Sequence, residues 1–151
     1  MSTKSGPIVV GVDGTPASDT ALAWALDEAV VRGCPLHVVN AWNFEAMTDW
    51  TETAEQRARI ESEEVVEKAL LAASEGRAEL PVIVRQSRRG DAAEVLERVS
   101  EGAAMLVVAS HTGHRMRQIV LGSTSMHCVR HAHAPIVVIP VDDREYAELV
   151  R

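Results

Sequence analysis

Five short apolar runs recur along the chain: Pro7 to Val12 (PIVVGV), Leu36 to Ala41 (LHVVNA), Pro81 to Arg85 (PVIVR), Ala104 to Ala109 (AMLVVA) and Pro135 to Val141 (PIVVIPV). They are rich in β-branched residues and largely continuous, the pattern of strands that are covered on both faces. Helix-length stretches separate them. Thr15 and Pro16 read as the N-cap and first residue of a helix with an apolar stripe at Leu22, Ala25, Leu26, Ala29 and Val30, stopped by Gly33. A loop holding Trp42, Phe44 and Trp50 leads to a long helix from about Thr53 to Gly76. Gly90 and Asp91 form a turn and cap before a third helix marked by Val95, Leu96 and Val99, and a fourth spans about Ser123 to His131. Strands that alternate with helices build βαβ units, and right-handed crossovers leave few ways to arrange them. The expected fold is α/β: a single doubly wound, five-stranded, mainly parallel sheet with helices on both faces.

Length and composition bound the rest. The 151 residues are one domain's worth, so the chain is read as a single domain over 1–151 with its core at about 7–141 and short flexible tails. Aromatics make up 3% of the chain, so the core must rest on Val, Leu, Ile and Ala. No apolar run is long enough for a membrane span, and the opening MSTKSGP has no apolar signal region. Cys34 and Cys128 read as buried, reduced thiols rather than a disulfide framework. A soluble cytoplasmic protein with no membrane partner is the expectation.

The net charge of −7 argues against a general nucleic-acid binder, yet the charge is unevenly placed. Eight acidic and three basic residues lie between Glu45 and Lys68, whereas Gly102 to Val141 contains no Asp or Glu. That window holds Arg115, Arg117 and Arg130 and five of the six histidines. Burial in strand and helix explains part of this, since carboxylates avoid interiors; a locally positive surface suited to a small anion is the other reading.

Open parallel sheets bind ligands beyond the C-terminal ends of their strands. The segments that reach this edge are Asp13-Gly14, Asn40-Ala41 and Ala109 to Thr112. A helix start at Gly122-Ser123-Thr124-Ser125 adds outward amides with partial positive charge, three hydroxyls and a glycine that admits close approach. Ser123 also suits a plain N-cap. His127 and His131 share a helical face near His133 and Cys128, a spacing that can bind zinc; solvated or hydrogen-bonded histidines are the favoured reading, and no metal is expected. Asp13 with Ser123 and His111 or His114 would be the elements of a hydrolytic set. Neither a nucleophile elbow nor a phosphate-binding Gly-x4-Gly-Lys loop is present, so any hydrolysis should be slow.

From about Pro7 to Val141 the chain resembles the universal stress protein family. The matching pieces are VVGVDGTPASDTALAWAL, LHVVNAW, GDAAEVL, ASHTGHRMRQIVLGSTS and RHAHAPIVVIP. The resemblance implies a Rossmann-like sheet of order 3-2-1-4-5 that binds an adenine nucleotide, ATP or AMP, with or without magnesium. It implies Asp13 as the ribose or adenine contact, flanked by Gly11 and Gly14, and Val38 as an adenine wall. Gly122, Ser123, Thr124 and Ser125 become the phosphate cradle. The family's loop motif is Gly, two residues, Gly, nine residues, Gly, then Ser or Thr. Here the nine-residue spacer from Gly113 to Leu121 is intact, while Ala109 and Thr112 stand at the two earlier glycines. The resemblance further implies a homodimer through the last strand, Pro135 to Val141, and stress signalling through a partner. Three readings stay open: a nucleotide-binding module, a member that has lost its nucleotide and works by protein contact, and a slow ATP hydrolase.

Overall fold

The computed structural model describes residues 6–43, 52–112 and 121–142, and at 52, 111, 112, 141 and 142 it describes the backbone alone. The chain alternates strand and helix throughout: β1 (Ile8–Gly11), α1 (Pro16–Arg32), β2 (Leu36–Trp42), α2 (Glu52–Ser74), β3 (Ile83–Arg89), α3 (Ala92–Val99), β4 (Met105–Thr112), α4 (Ser123–His131) and β5 (Ile136–Asp142). The strands form one sheet of order β3-β2-β1-β4-β5, and every pairing is parallel. The expected architecture and strand order are thus observed.

Side chains alternate across the sheet and build two cores. On one face Ile8, Val10, Leu36, Val38 and Val107 pack under α1 and α2, through Leu22, Leu26, Val66 and Leu70. On the other, Val9, Val39, Leu106 and Val108 pack with Val95 and Leu96 of α3 and Cys128 of α4. The register sets Val10 beside Val38 and Val107, so the central layer is aliphatic, as the scarcity of aromatics requires.

Helix ends follow the sequence signals. Thr15 caps α1 by accepting from the Ser18 N–H, and Gly33 closes it at φ 64°. Asp91 caps α3 by accepting from the Ala93 and Glu94 N–H groups. The main departure is β3. Its apolar run predicts a strand over 81–85, but the paired strand runs Ile83–Arg89 and ends in Gln86-Ser87-Arg88-Arg89. β3 lies at the sheet edge, where solvent tolerates polar and charged side chains, so the apolar run marks the start of the strand and not its extent. β4 also continues to Thr112, which pairs with Asp142.

Candidate functional site

The C-terminal ends of β1, β2 and β4 open into a cleft of about 240 Å³. β1 and the turn after it contribute Gly11, Val12, Asp13 and Thr15, and α1 contributes Ala17 and Ser18. The end of β2 adds Val39, Asn40 and Ala41, α3 adds Ala92 and Leu96, and β4 adds Val108 and Ala109. The start of α4, Gly122 to Ser125, closes the remaining side. This is the crevice that the winding of the sheet predicts.

The two ends of the cleft differ electrically. At the β1 turn, Asp13 Oδ1 accepts from the Thr15 N–H at 2.9 Å and from the Thr15 hydroxyl at 2.5 Å. The Asp13 N–H donates to Ser18 Oγ at 3.2 Å, and Ser18 Oγ donates onward to the Thr15 carbonyl. These bonds hold the carboxylate in one place at the cleft wall. Nearby Asp19 has its carboxyl pushed up, first by burial and then by the charge of Asp13. Among the described residues that line the cleft, Asp13 is the one ionisable side chain.

At the opposite end α4 begins without a side-chain cap. Gly122 is the N-cap, at φ −62° and ψ 167°, and the first helical bond runs from the Met126 N–H to the Gly122 carbonyl at 2.9 Å. The amides of Ser123, Thr124 and Ser125 precede that bond and point out of the helix. Both α1 and α3, by contrast, carry side-chain caps. Gly122 is not there for its own backbone, since those dihedrals suit any residue and a Cβ would meet nothing within 4 Å. What its missing side chain leaves is clear access to the helix amides.

The structure redistributes several of the expected roles. Val38 does not form a wall of the cleft: it is fully buried under α1 and α2, on the opposite face of the sheet. Its neighbour Val39 lines the cleft instead, because adjacent strand residues point to opposite faces. Gly14 is not a lining residue either; at φ +81° it forms the turn, against Val65 of α2. Gly11 does line the cleft, and a Cβ there would sit 3.0 Å from Leu96 Cδ1, so that side chain would have to give way. Ser125 lines the cleft, but its hydroxyl donates to the Ala109 carbonyl at 3.0 Å and so ties α4 to β4. Ser123 is the first helical residue and not the cap. Thr112 is an extended strand residue, and no described non-glycine residue has positive φ. The side chains of Thr112 and His111, and the whole of Phe44, Trp50, Gly113, His114, Arg115 and Arg117, lie outside the described residues.

Sequence reading placed Asn40 and Ala41 at this edge but missed Ala92 and Leu96 as lining residues. A small residue at 92 carries no chemical signal of its own. Trp42 ends β2 outside the cleft lining, with its indole N–H buried and without a hydrogen-bond partner among the described residues. The histidines on α4 find a carboxylate that lies far away in sequence: His127 Nε2 and Glu97 Oε2 of α3 are 2.7 Å apart, and the His127 and His131 rings lie 4.5 Å apart. Among the described residues no group of His, Cys, Asp or Glu is arranged to hold a metal ion. Cys128 is fully buried, and burial, followed by the charge of Glu97, pushes its thiol up to about 11.

The sequence matches the model of the Universal stress protein family over residues 5–140. The chain belongs to the universal stress protein family. Universal stress protein Mb2019 of Mycobacterium bovis is 34% identical over 158 residues, an alignment that covers 91% of this chain and 49% of that protein. The chain thus spans about half the length of the curated relatives it matches. The fold is shared with a universal stress protein solved in complex with cAMP, at TM-score 0.66 and 16% identity over 91% of this chain and 98% of that one. It is also shared with the Arabidopsis thaliana universal stress protein At3g01520 with AMP bound, at TM-score 0.57 and 17% identity over 93% and 94% of the two chains. No helix among the described residues is long and apolar enough to cross a membrane.

Proposed function

We propose that this universal stress protein binds an adenine nucleotide in the cleft at the C-terminal edge of the sheet. The observation that carries the reading is the uncapped start of α4, entered through a glycine that neither its backbone angles nor its neighbours require. Amides left open there suit the oxygens of a phosphate. The nucleoside then extends across Gly11, Val39 and Ala41 toward Asp13, whose carboxylate accepts hydrogen bonds from ribose hydroxyls or from the adenine amino group. The AMP and cAMP found in the two related structures support the ligand class.

Thr112 is less of an obstacle than its β-branched side chain suggests, because it sits in an extended strand. The methyl of Ala109 remains, and it favours weak binding or the second reading, a protein that has lost its nucleotide and works by contact with a partner. In the first reading the module carries or senses the nucleotide in a stress response and a partner reads its state; in the second it acts by protein contact alone. Slow ATP hydrolysis has less support: the sequence offers neither a nucleophile elbow nor a phosphate-binding Gly-x4-Gly-Lys loop.

Calorimetric titration with AMP and with ATP, with and without magnesium, tests the proposal. The expected result is saturable binding at about micromolar to millimolar dissociation constants. Silence throughout that range would reject nucleotide binding and leave protein contact as the function.

A further inference from the structure

Behind the cleft wall runs a chain of buried polar side chains that the binding reading does not by itself require. The peptide unit joining Val12 to Asp13 is held at both ends by side chains. Its N–H donates to Ser18 Oγ at 3.2 Å, and its carbonyl accepts from Asn40 Nδ2 at 2.7 Å. Asn40 Oδ1 accepts from the Ser62 hydroxyl of α2 at 2.6 Å, and Ser62 Oγ in turn accepts from the Ser87 hydroxyl of β3 at 2.6 Å. The direction of this relay is fixed by one atom. A carbonyl oxygen only accepts, so the amide nitrogen of Asn40 must face Val12, its oxygen must face α2, and Ser62 must donate to it. Asn40 and Ser62 are 8% and 3% exposed, so a broken link leaves a buried group without a partner.

We infer that Asn40 is a positioning residue for nucleoside recognition: through the Val12 carbonyl it sets the plane of the Val12–Asp13 peptide, and so the place where the Asp13 carboxylate meets the ligand. Ser62 locks the orientation of Asn40, which makes the seating of α2 part of the same device. The inference rests on the proposed binding of an adenine nucleotide. Asn40 lines the cleft, yet both ends of its amide are engaged within the protein, so its effect on the ligand passes through Asp13.

The test is a double-mutant cycle read by calorimetry with AMP, using the unmutated protein, Asn40→Leu, Asp13→Ala and the double variant. Melting temperatures establish that each is folded, and Ser62→Ala serves as the milder perturbation should Asn40→Leu fail to fold. Removing Asp13 should weaken AMP binding about tenfold or more, the effect of losing a charged hydrogen-bond acceptor. Asn40→Leu or Ser62→Ala should weaken it about three- to tenfold in the unmutated background and change nothing further once Asp13 is absent. Effects that multiply independently in the double variant would show that Asn40 does not act through Asp13 and overturn the inference. So would AMP binding that is unchanged in both Asn40→Leu and Ser62→Ala. A protein that binds no AMP even without mutation would overturn the underlying reading, and the inference with it.

Discussion

Gly122 separates what helps the helix from what helps a ligand. An aspartate at this position would supply α4 with the side-chain acceptor and the negative charge that it lacks, a gain of about 0.3–1 kcal/mol at a helix N-terminus. It would also occupy the amides offered to phosphate. Gly122→Asp should therefore raise the melting temperature slightly while reducing AMP affinity at least about tenfold, an opposition of signs that a merely structural glycine would not produce. A variant in which both fall, or in which binding is untouched, removes the phosphate role of α4. At the other end, Asp13→Asn keeps an acceptor for Thr15 and discards the charge. It should leave the melting temperature nearly unchanged and weaken nucleotide binding, as thermal scans paired with titration would reveal. The position of these residues was legible from the order of apolar runs and the helix start, while the role of Asp13 came from the family resemblance; Asp13, Gly122 and Ser123 do line one cleft. Val38 does not, and the reason is parity. Leu36, Val38 and Val39 are all apolar, so nothing in LHVVNA tells which neighbour faces α3. The position of Asn40 at the cleft edge was readable but its bonding was not, since its partners are Ser62 on α2 and Val12 just after β1 and no short-range pattern joins them.

At the level of whole elements, α3 and α4 are linked across one face of the sheet by Glu97 and His127. The hydrogen bond from His127 holds the Glu97 carboxyl below its ordinary value of 4.5. A carboxyl depressed in the folded state contributes stability above its unfolded value and loses it as the pH falls through the folded one. Glu97→Gln should thus lower the melting temperature near neutrality, and its deficit should shrink on acidification below the carboxylate range. A deficit that stays constant with pH would leave the pair no electrostatic share. The thiol of Cys128 beneath this contact should resist alkylation in the native protein and react on unfolding, which a thiol titration with and without denaturant would reveal. The elements themselves were readable wherever burial dictates the pattern: β1, β2, β4 and their helices end within a few residues of the positions expected from their apolar runs. β3 was not, because an edge strand that ends in two arginines obeys no core periodicity.

For the molecule as a whole, the strand order leaves β3 and β5 as edges. β5 is short and largely apolar, with Pro140 lacking an N–H to donate, and we propose that a second copy pairs with this edge. Light scattering at micromolar concentration should return twice the 16.4 kDa chain mass; a single chain mass would dismiss a homodimer. The parallel strands also have a practical corollary. Because each of these crossover helices runs back against the direction of the strands, the bends that follow α1, α2 and α3 gather at the end away from the cleft, at Gly33, Gly76 and Gly102. A side chain at any of the three would meet no atom within 4 Å, although their positive φ favours keeping the glycine and grafting beside it. Fluorophores, affinity handles or surface tethers grafted onto those bends would report on the protein without crowding the guest at its far rim.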